Sequence, residues 1–307
     1  MIRANSLDQL NLKESWLTIG VFDGVHRGHQ QIIQKLTTGA REMKVPAVVL
    51  TFWPHPASVL GNSAVKCLTT PDERAALLFE LGVEVVITQT FDRAVANTSA
   101  REFAERLKEH LGVGKMLMGY DFALGKGREG DAARLTEIGG ELGFRVEVVP
   151  ALSDESGVIS STEIRKLVRV GNVADAARLL GHPYGLHGPV MHGDGRGKRI
   201  GIPTANIDYS KDKVIPPNGI YACRATVGTE KYIAMTNVGI NPTFTPDKQT
   251  PNVEAHLLDF NRDIYGEDVR LEFVERLRDE IKYTSADALV EQIHIDIKRG
   301  REILGGT

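Results

Sequence analysis

The sequence predicts two domains of different class: an α/β domain on a Rossmann-like parallel sheet, then a small antiparallel β-barrel with a C-terminal helix. Three observations predict this. In the first half, short β-branched runs alternate with amphipathic stretches at βαβ spacing, which implies a parallel sheet covered on both faces. After residue 182, short alternating runs are separated by Gly, Pro, Asn and Asp clusters, the pattern of a small barrel or sandwich. Finally, 307 residues with 42% hydrophobic and 25% charged content suit two globular domains with real cores.

Composition also excludes some functions. A net charge of −3 argues against a nucleic-acid partner. Cys67 and Cys223 are far apart and form no metal or redox spacing, as expected in a reducing compartment. Met1 to Leu12 is mixed polar, without a signal-peptide core, and no apolar run approaches the roughly 20 residues that span a bilayer. A cytoplasmic protein with no membrane partner is expected, monomeric or weakly homo-oligomeric.

Taken in order, Trp16–Ile19 reads as a strand and Gln30–Leu36 as helix. Between them lies Gly20-Val21-Phe22-Asp23-Gly24-Val25-His26-Arg27-Gly28-His29. Strand, glycine turn and helix start put His26 and His29, spaced i and i+3, on one helix face. The free N–H groups and positive end of such a helix attract anions, so a phosphate site is expected. The same pair would also suit two zinc ligands awaiting a third, or arise by chance.

Val45–Phe52 reads as a buried strand, and Trp53-Pro54-His55-Pro56 as irregular because two prolines remove ladder donors. Thr70-Pro71-Asp72-Glu73 starts a helix running through Leu81, with a Thr cap, Pro at the first position and an acidic first turn. Val83–Ile87, Lys115–Gly119 and Arg145–Val149 read as strands; Ser99–Leu111 and Leu135–Leu142 read as helices. Ligands in such sheets bind beyond the carboxyl ends of the strands, here near Gly20, Phe52–Pro56 and Gly119–Gly130. Gly125-Lys126-Gly127-Arg128-Glu129-Gly130 fits the dinucleotide fingerprint, but it lies late in the domain and no strand runs directly into it. A mobile, basic, glycine-rich loop over a ligand is the better reading. Ile159-Ser160-Ser161-Thr162-Glu163-Ile164-Arg165 is either a plain capping box or a second phosphate cradle of hydroxyls and an arginine fork.

Residues 171–182 form an alanine-rich helix, with the domain boundary near 183. Tyr184–Met191, Gly219–Val227, Tyr232–Asn237, Val253–Leu258 and Val269–Leu277 are the expected barrel strands. A helix from Ser285 to about Ile303 follows, with Leu289, Ile293 and Ile297 on its apolar stripe. The segment Gly193-Asp194-Gly195-Arg196-Gly197-Lys198-Arg199-Ile200-Gly201-Ile202-Pro203-Thr204-Ala205-Asn206 is no Walker loop, since Arg199 follows Gly-Lys and no helix is expected before Pro203. Its glycines still let backbone N–H groups crowd a phosphate while Arg and Lys neutralise it. Thr204 and Asn206 share a face if extended, and their oxygens suit Mg²⁺. A basic surface turn before an edge strand is the competing reading. Periodicity alone makes Glu254 a solvent-face strand residue.

Gly-x-Phe-Asp-x-x-His-x-Gly-His with Ile-Ser-Ser-Thr-x-Ile-Arg resembles the HxGH nucleotidyltransferases, in which both elements bind a nucleotide triphosphate. Thr51-Phe52-x-Pro54-x-Pro56 and Gly119-x-Asp121-Phe122-x-x-Gly125-Lys126-Gly127 narrow the resemblance to bacterial riboflavin kinase/FAD synthetases. The second half resembles their kinase module through Gly193–Asn206, Pro217-x-Gly219-Ile220-Tyr221, Asn237-Val238-Gly239-x-Asn241-Pro242-Thr243-Phe244 and Val253-Glu254-x-His256-Leu257-Leu258-x-Phe260. Trp53 departs from a usually acidic position and Ala123-Leu124 from the commoner Arg-Phe; both are expected to line or border the flavin site.

The resemblance implies riboflavin and ATP as substrates of the first reaction, giving FMN, and FMN and ATP as substrates of the second, giving FAD and pyrophosphate. It implies ATP contacts from Gly20, Phe22, Asp23, His26, His29, Ser161, Thr162 and Arg165, and flavin contacts from Phe52, Pro54, Asp121, Gly125 and Lys126. His26, His29 and Arg165 would act in adenylyl transfer. In the kinase, Gly193, Gly195, Arg196, Gly197, Lys198, Gly201 and Pro203 would hold ATP. Thr204 and Asn206 would hold Mg²⁺, and Glu254 would be the base. A chain with one active module, or a flavin-binding sensor, would use the same scaffold.

Overall fold

The β-branched runs of the first half assemble as parallel strands: β1 (Ile2–Ala4), β2 (Ser15–Ile19), β3 (Ala47–Trp53), β4 (Val85–Thr90), β5 (Val113–Gly119) and β6 (Arg145–Val149). Their order is β1-β4-β3-β2-β5-β6. The computed structural model describes residues 1–61, 64–155, 157–193, 195–239 and 251–305. Asp194 and the motif residues Asn241-Pro242-Thr243-Phe244 lie outside them, as do the side chains of Arg196 and Lys198.

Both faces of the sheet are covered, as continuous apolar runs require. On one face, Leu17, Ile19 and Leu50 pack against Phe103 and Leu107 of α5 (Ala100–Leu111) and Ile138 of α6 (Ala132–Leu142). On the other, Val49, Val86 and Leu117 meet Ile33 and Leu36 of α1 (Arg27–Met43) and Ala75 and Leu78 of α3 (Pro71–Glu80). The Thr70 cap of α3 forms as expected, with a reciprocal capping box through Glu73. The proline segment after β3 is more ordered than its composition suggests. Trp53 still pairs in the sheet, and His55 caps the short α2 (Pro56–Leu60), with Pro56 at a first-turn position that tolerates it. Between β4 and α5 lies the short α4 (Arg93–Asn97).

A hairpin of β7 (Ser153–Asp154) and β8 (Gly157–Val158) precedes α7 (Ser161–Arg169) and α8 (Val173–Leu180). The chain divides into two compact units, Met1–Ser161 and Thr162–Thr307, so α8 groups with the barrel. The reason is packing: its buried stripe of Val173, Ala176, Leu179 and Leu180 belongs to a helix that contacts barrel strands. Those strands are β9 (Tyr184–Met191), β10 (Ala205–Ile207), β11 (Gly219–Val227), β12 (Glu230–Gly239), β13 (Asn252–Leu257) and β14 (Asp268–Arg278). They close as β10-β13-β12-β11-β14-β9. Between β9 and β10, one helical turn, α9 (Arg196–Arg199), corrects the expectation that no helix forms before Pro203.

The terminal helix α10 (Ala286–Leu304), capped by Ser285, packs on β11, β12 and β14. Ile297, Ile303 and Leu304 meet Ala222, Met235 and Leu277, whereas Leu289 and Ile293 stay half-exposed. A Cβ on Gly300 would fall 2.2 Å from Met235 Cε, so a larger residue there would require the Met235 side chain to shift. Asp296 is buried and takes Arg278 through Nε at 3.0 Å and Nη2 at 2.7 Å. The ion pair holds the Arg278 guanidinium above its ordinary range against the opposing effect of burial. Asp296→Ala would leave a largely buried guanidinium without its carboxylate. It is expected to destabilise the second unit by about 3–5 kcal/mol, read from urea denaturation, with Asp296→Asn milder.

Candidate active sites

The loop from β2 to α1 is built on unusual backbone. Phe22 (φ 49°) and Val25 (φ 42°) occupy the left-handed region with Gly24 (φ 80°) between them. His26 is the N-cap of α1 rather than a residue of its first turn, and its Nδ1 accepts from the His29 N–H at 3.4 Å. That bond assigns the His26 proton to Nε2. The two imidazoles stack with centroids 3.6 Å apart, and Phe22 meets His29 edge-on at 5.1 Å. Burial, followed by the fields of His26 and Arg74, holds the His29 imidazole well below the ordinary histidine range. His29 Nδ1 is buried and lacks a hydrogen-bond partner among the described residues.

Beyond the carboxyl ends of β2, β3 and β5 opens a cavity of about 880 Å³. Of the sequence-identified residues, Gly20, Phe22, His29, Phe52, Asp121, Gly125 and Lys126 line it. Asp23, His26, Pro54 and Ser161 do not. Asp23 is 1% exposed and its carboxylate faces inward, accepting from the Leu68 and Thr69 N–H groups at 3.0 Å. The Ser161 hydroxyl donates to the Asp23 carbonyl at 2.8 Å instead of capping α7. Thr162 (exposed) and Arg165 (8% exposed) follow on α7 within the second unit.

Gly125, Lys126, Gly127 and Arg128 line the cavity as part of a basic loop that hydrogen bonds hold at several points. Lys126 N–H donates to the Thr98 carbonyl, Glu129 accepts the Ala100 N–H, and Leu124 and Gly130 exchange backbone bonds. A Cβ on Gly125 would fall 2.6 Å from Ala100 N. Ala123 and Leu124 also line the cavity, but Trp53 does not. Phe52 takes the cavity side, and the next residue of a strand points to the opposite face.

In the barrel, strand register brings distant residues together. Glu254 on β13 pairs directly with Asn206 on β10 on one side and with Asn237 on β12 on the other. The Thr204 hydroxyl donates to Glu254 Oε2 at 3.4 Å. The glycine loop folds onto this group. A Cβ on Gly193 would lie 2.3 Å from Asn206 Nδ2, and one on Gly197 would lie 2.2 Å from the Ile202 carbonyl. Gly195 and Gly201 hold φ of 65° and 79°, and His256 bonds to the Pro203 carbonyl at 2.7 Å. The site thus offers a carboxylate flanked by a hydroxyl and two amides beneath glycine-rich backbone. Among the described residues no three His, Cys, Asp or Glu side chains group to hold a metal, and no helix is long and apolar enough to cross a membrane.

A family model described as FAD synthetase matches residues 8–163, and one described as riboflavin kinase matches residues 180–304. Bifunctional riboflavin kinase/FMN adenylyltransferases of Listeria monocytogenes and Bacillus subtilis are each 36% identical, over 91% and 92% of this chain and 89% and 90% of theirs. The Escherichia coli K12 protein of that name is 36% identical over 99% of this chain and 97% of its own. The chain belongs to the bifunctional riboflavin kinase/FMN adenylyltransferase family. Both enzymatic domains are present, a riboflavin kinase and an FAD synthetase. A crystal structure titled as a macrolide-efflux protein from Streptococcus pneumoniae shares the fold with a TM-score of 0.89, at 34% identity over 98% of both chains.

Two side chains beside the flavin-enzyme sites escaped the sequence reading. Asn237, whose Oδ1 is buried without a hydrogen-bond partner among the described residues, stands in the Asn-Val-Gly motif but shows its link to Glu254 only through register. Arg74 follows Pro71-Asp72-Glu73 and reads as one more polar residue of a capped helix start. It is instead 1% exposed.

Proposed function

We propose that residues 1–182 carry adenylyl transfer at the cavity beyond β2, β3 and β5, and that residues 183–307 carry riboflavin phosphorylation around Glu254. What supports the second assignment most is the juxtaposition of Thr204, Asn206 and Glu254 under the glycine loop. Glu254 takes the proton of the riboflavin 5′-hydroxyl as that oxygen attacks the γ-phosphorus of ATP and ADP leaves. The N–H groups of Gly193–Gly201 receive the phosphate charge.

Thr204 and Asn206 offer a hydroxyl and an amide oxygen, hard donors of the kind Mg²⁺ accepts alongside substrate phosphates and water. Bound there, Mg²⁺ would supply charge neutralisation. Asn206→Ala is expected to raise the Mg²⁺ concentration needed for half-maximal FMN formation and to lower its rate. Adenylylation of supplied FMN should be unchanged. Product chromatography across a Mg²⁺ series tests this, and an unaltered Mg²⁺ requirement would remove Asn206 from the metal site.

In the first domain the FMN phosphate is already an anion, so it attacks the α-phosphorus of ATP without a base and pyrophosphate leaves. The remaining task is positioning and charge stabilisation. His26 and His29, with Ser161, Thr162 and Arg165, are the donors we assign to the triphosphate. Phe52, Asp121, Gly125 and Lys126 are those we assign to the flavin. Asp23 acts from behind the loop. We place the enzyme in the cytoplasm, as a monomer or weak homo-oligomer.

A further inference from the structure

We propose that Arg74 is a positioning residue for adenylyl transfer, holding the loop from β2 to α1 in its strained form without touching substrate. This rests on the assignment of that loop to the adenylyl-transfer site.

Arg74 is among the largest fully buried side chains, and it does not line the cavity. Nη1 donates to Thr51 Oγ1 at 2.9 Å and to the Phe52 carbonyl at 3.3 Å. Nη2 donates to the Thr69 carbonyl at 3.2 Å and lies 3.7 Å from Asp23 Oδ1. Nε reaches Thr69 Oγ1 at 3.5 Å.

Each partner holds the loop at a different point. Thr51 Oγ1 donates to the Val21 carbonyl at 2.8 Å. Thr69 Oγ1 accepts the Gly24 N–H at 3.0 Å. Asp23 is clamped to the backbone of Leu68 and Thr69. One guanidinium therefore organises contacts to Val21, Asp23 and Gly24, the residues around Phe22 and before Val25. A non-glycine residue in the left-handed region is strained and persists only where its surroundings over-determine it. Relaxing Phe22 would remove the ring packed edge-on against His29.

Stability alone does not explain a buried Arg–Asp pair, because replacing both charges with matched neutral side chains is often neutral or stabilising. A rigid loop that aims donors before substrate arrives does explain it.

The test uses the full chain, with kcat and KM of FAD formation from supplied FMN and of FMN formation from riboflavin measured side by side. Arg74→Met can fail to fold because it strands Asp23, so the deciding variant is Asp23→Asn/Arg74→Met, which removes both buried charges. The rate of FAD formation per folded molecule is expected to fall about 10²-fold, as misplacement of about 1 Å can cause. KM for ATP should change less, and FMN formation should be unchanged. Arg74→Lys keeps the cation but not the fork. It should recover only part of the lost rate.

Wild-type FAD formation in the double variant would overturn the proposal while His29→Ala still loses FAD formation. Retained FAD formation in His29→Ala would overturn the site assignment itself, and the proposal with it.

Discussion

His29→Ala is expected to abolish FAD formation while FMN continues to accumulate from riboflavin at the normal rate. The loop is already preorganised: His29 lines the cavity, rests against Phe22 and His26, and keeps Nδ1 without a hydrogen-bond partner. Because burial keeps the imidazole neutral well below its usual range, it donates a hydrogen bond near neutral pH rather than a full charge. Removing one preorganised donor to developing charge typically costs about 2.7–4 kcal/mol, a loss of 10²–10³ in rate. Alanine also removes the ring on which His26 stacks, so the loss should lie at the upper end. Chromatographic separation of FMN and FAD reads both reactions in one tube. A parallel fall in FMN formation without unfolding would contradict two independent sites.

Glu254→Ala should show the opposite pattern. FMN formation is expected to fall by 10²–10⁴, the usual contribution of a positioned general base. FMN supplied from outside should still be converted to FAD at the normal rate. Glu254 is not a passive surface carboxylate: Thr204 donates to it, and Asn206 and Asn237 stand opposite it on both neighbouring strands. Glu254→Gln preserves shape and much of the hydrogen bonding but cannot take a proton. It should therefore be nearly as impaired as alanine. Substantial FMN formation by Glu254→Gln would mean that Glu254 orients the hydroxyl rather than accepting its proton.

Much of this architecture is legible in the residues. Buried parallel strands read as apolar runs because both their faces are covered, and the Thr70–Glu73 capping box announces α3 from four residues. Elements of three residues, β1 and β10, carry too few side chains for a period to show, although β10 holds Asn206. The proline segment after Phe52 misled in a physical way. Proline breaks a ladder, but it also starts helices, and Pro56 does the latter.

By itself the sequence determined the two domain types, the glycine turns, the histidine pair and the donors suited to phosphate. These follow from local rules that each residue obeys with its near neighbours. The tertiary structure decided which of those residues face a ligand. It turned Asp23 inward, put Trp53 on the far side of β3, paired Glu254 with Asn206 and buried Arg74 beneath the loop. Periodicity records that a side chain is covered, not by what. The partner is chosen by strand register and helix packing, between residues that the chain itself holds tens of positions apart.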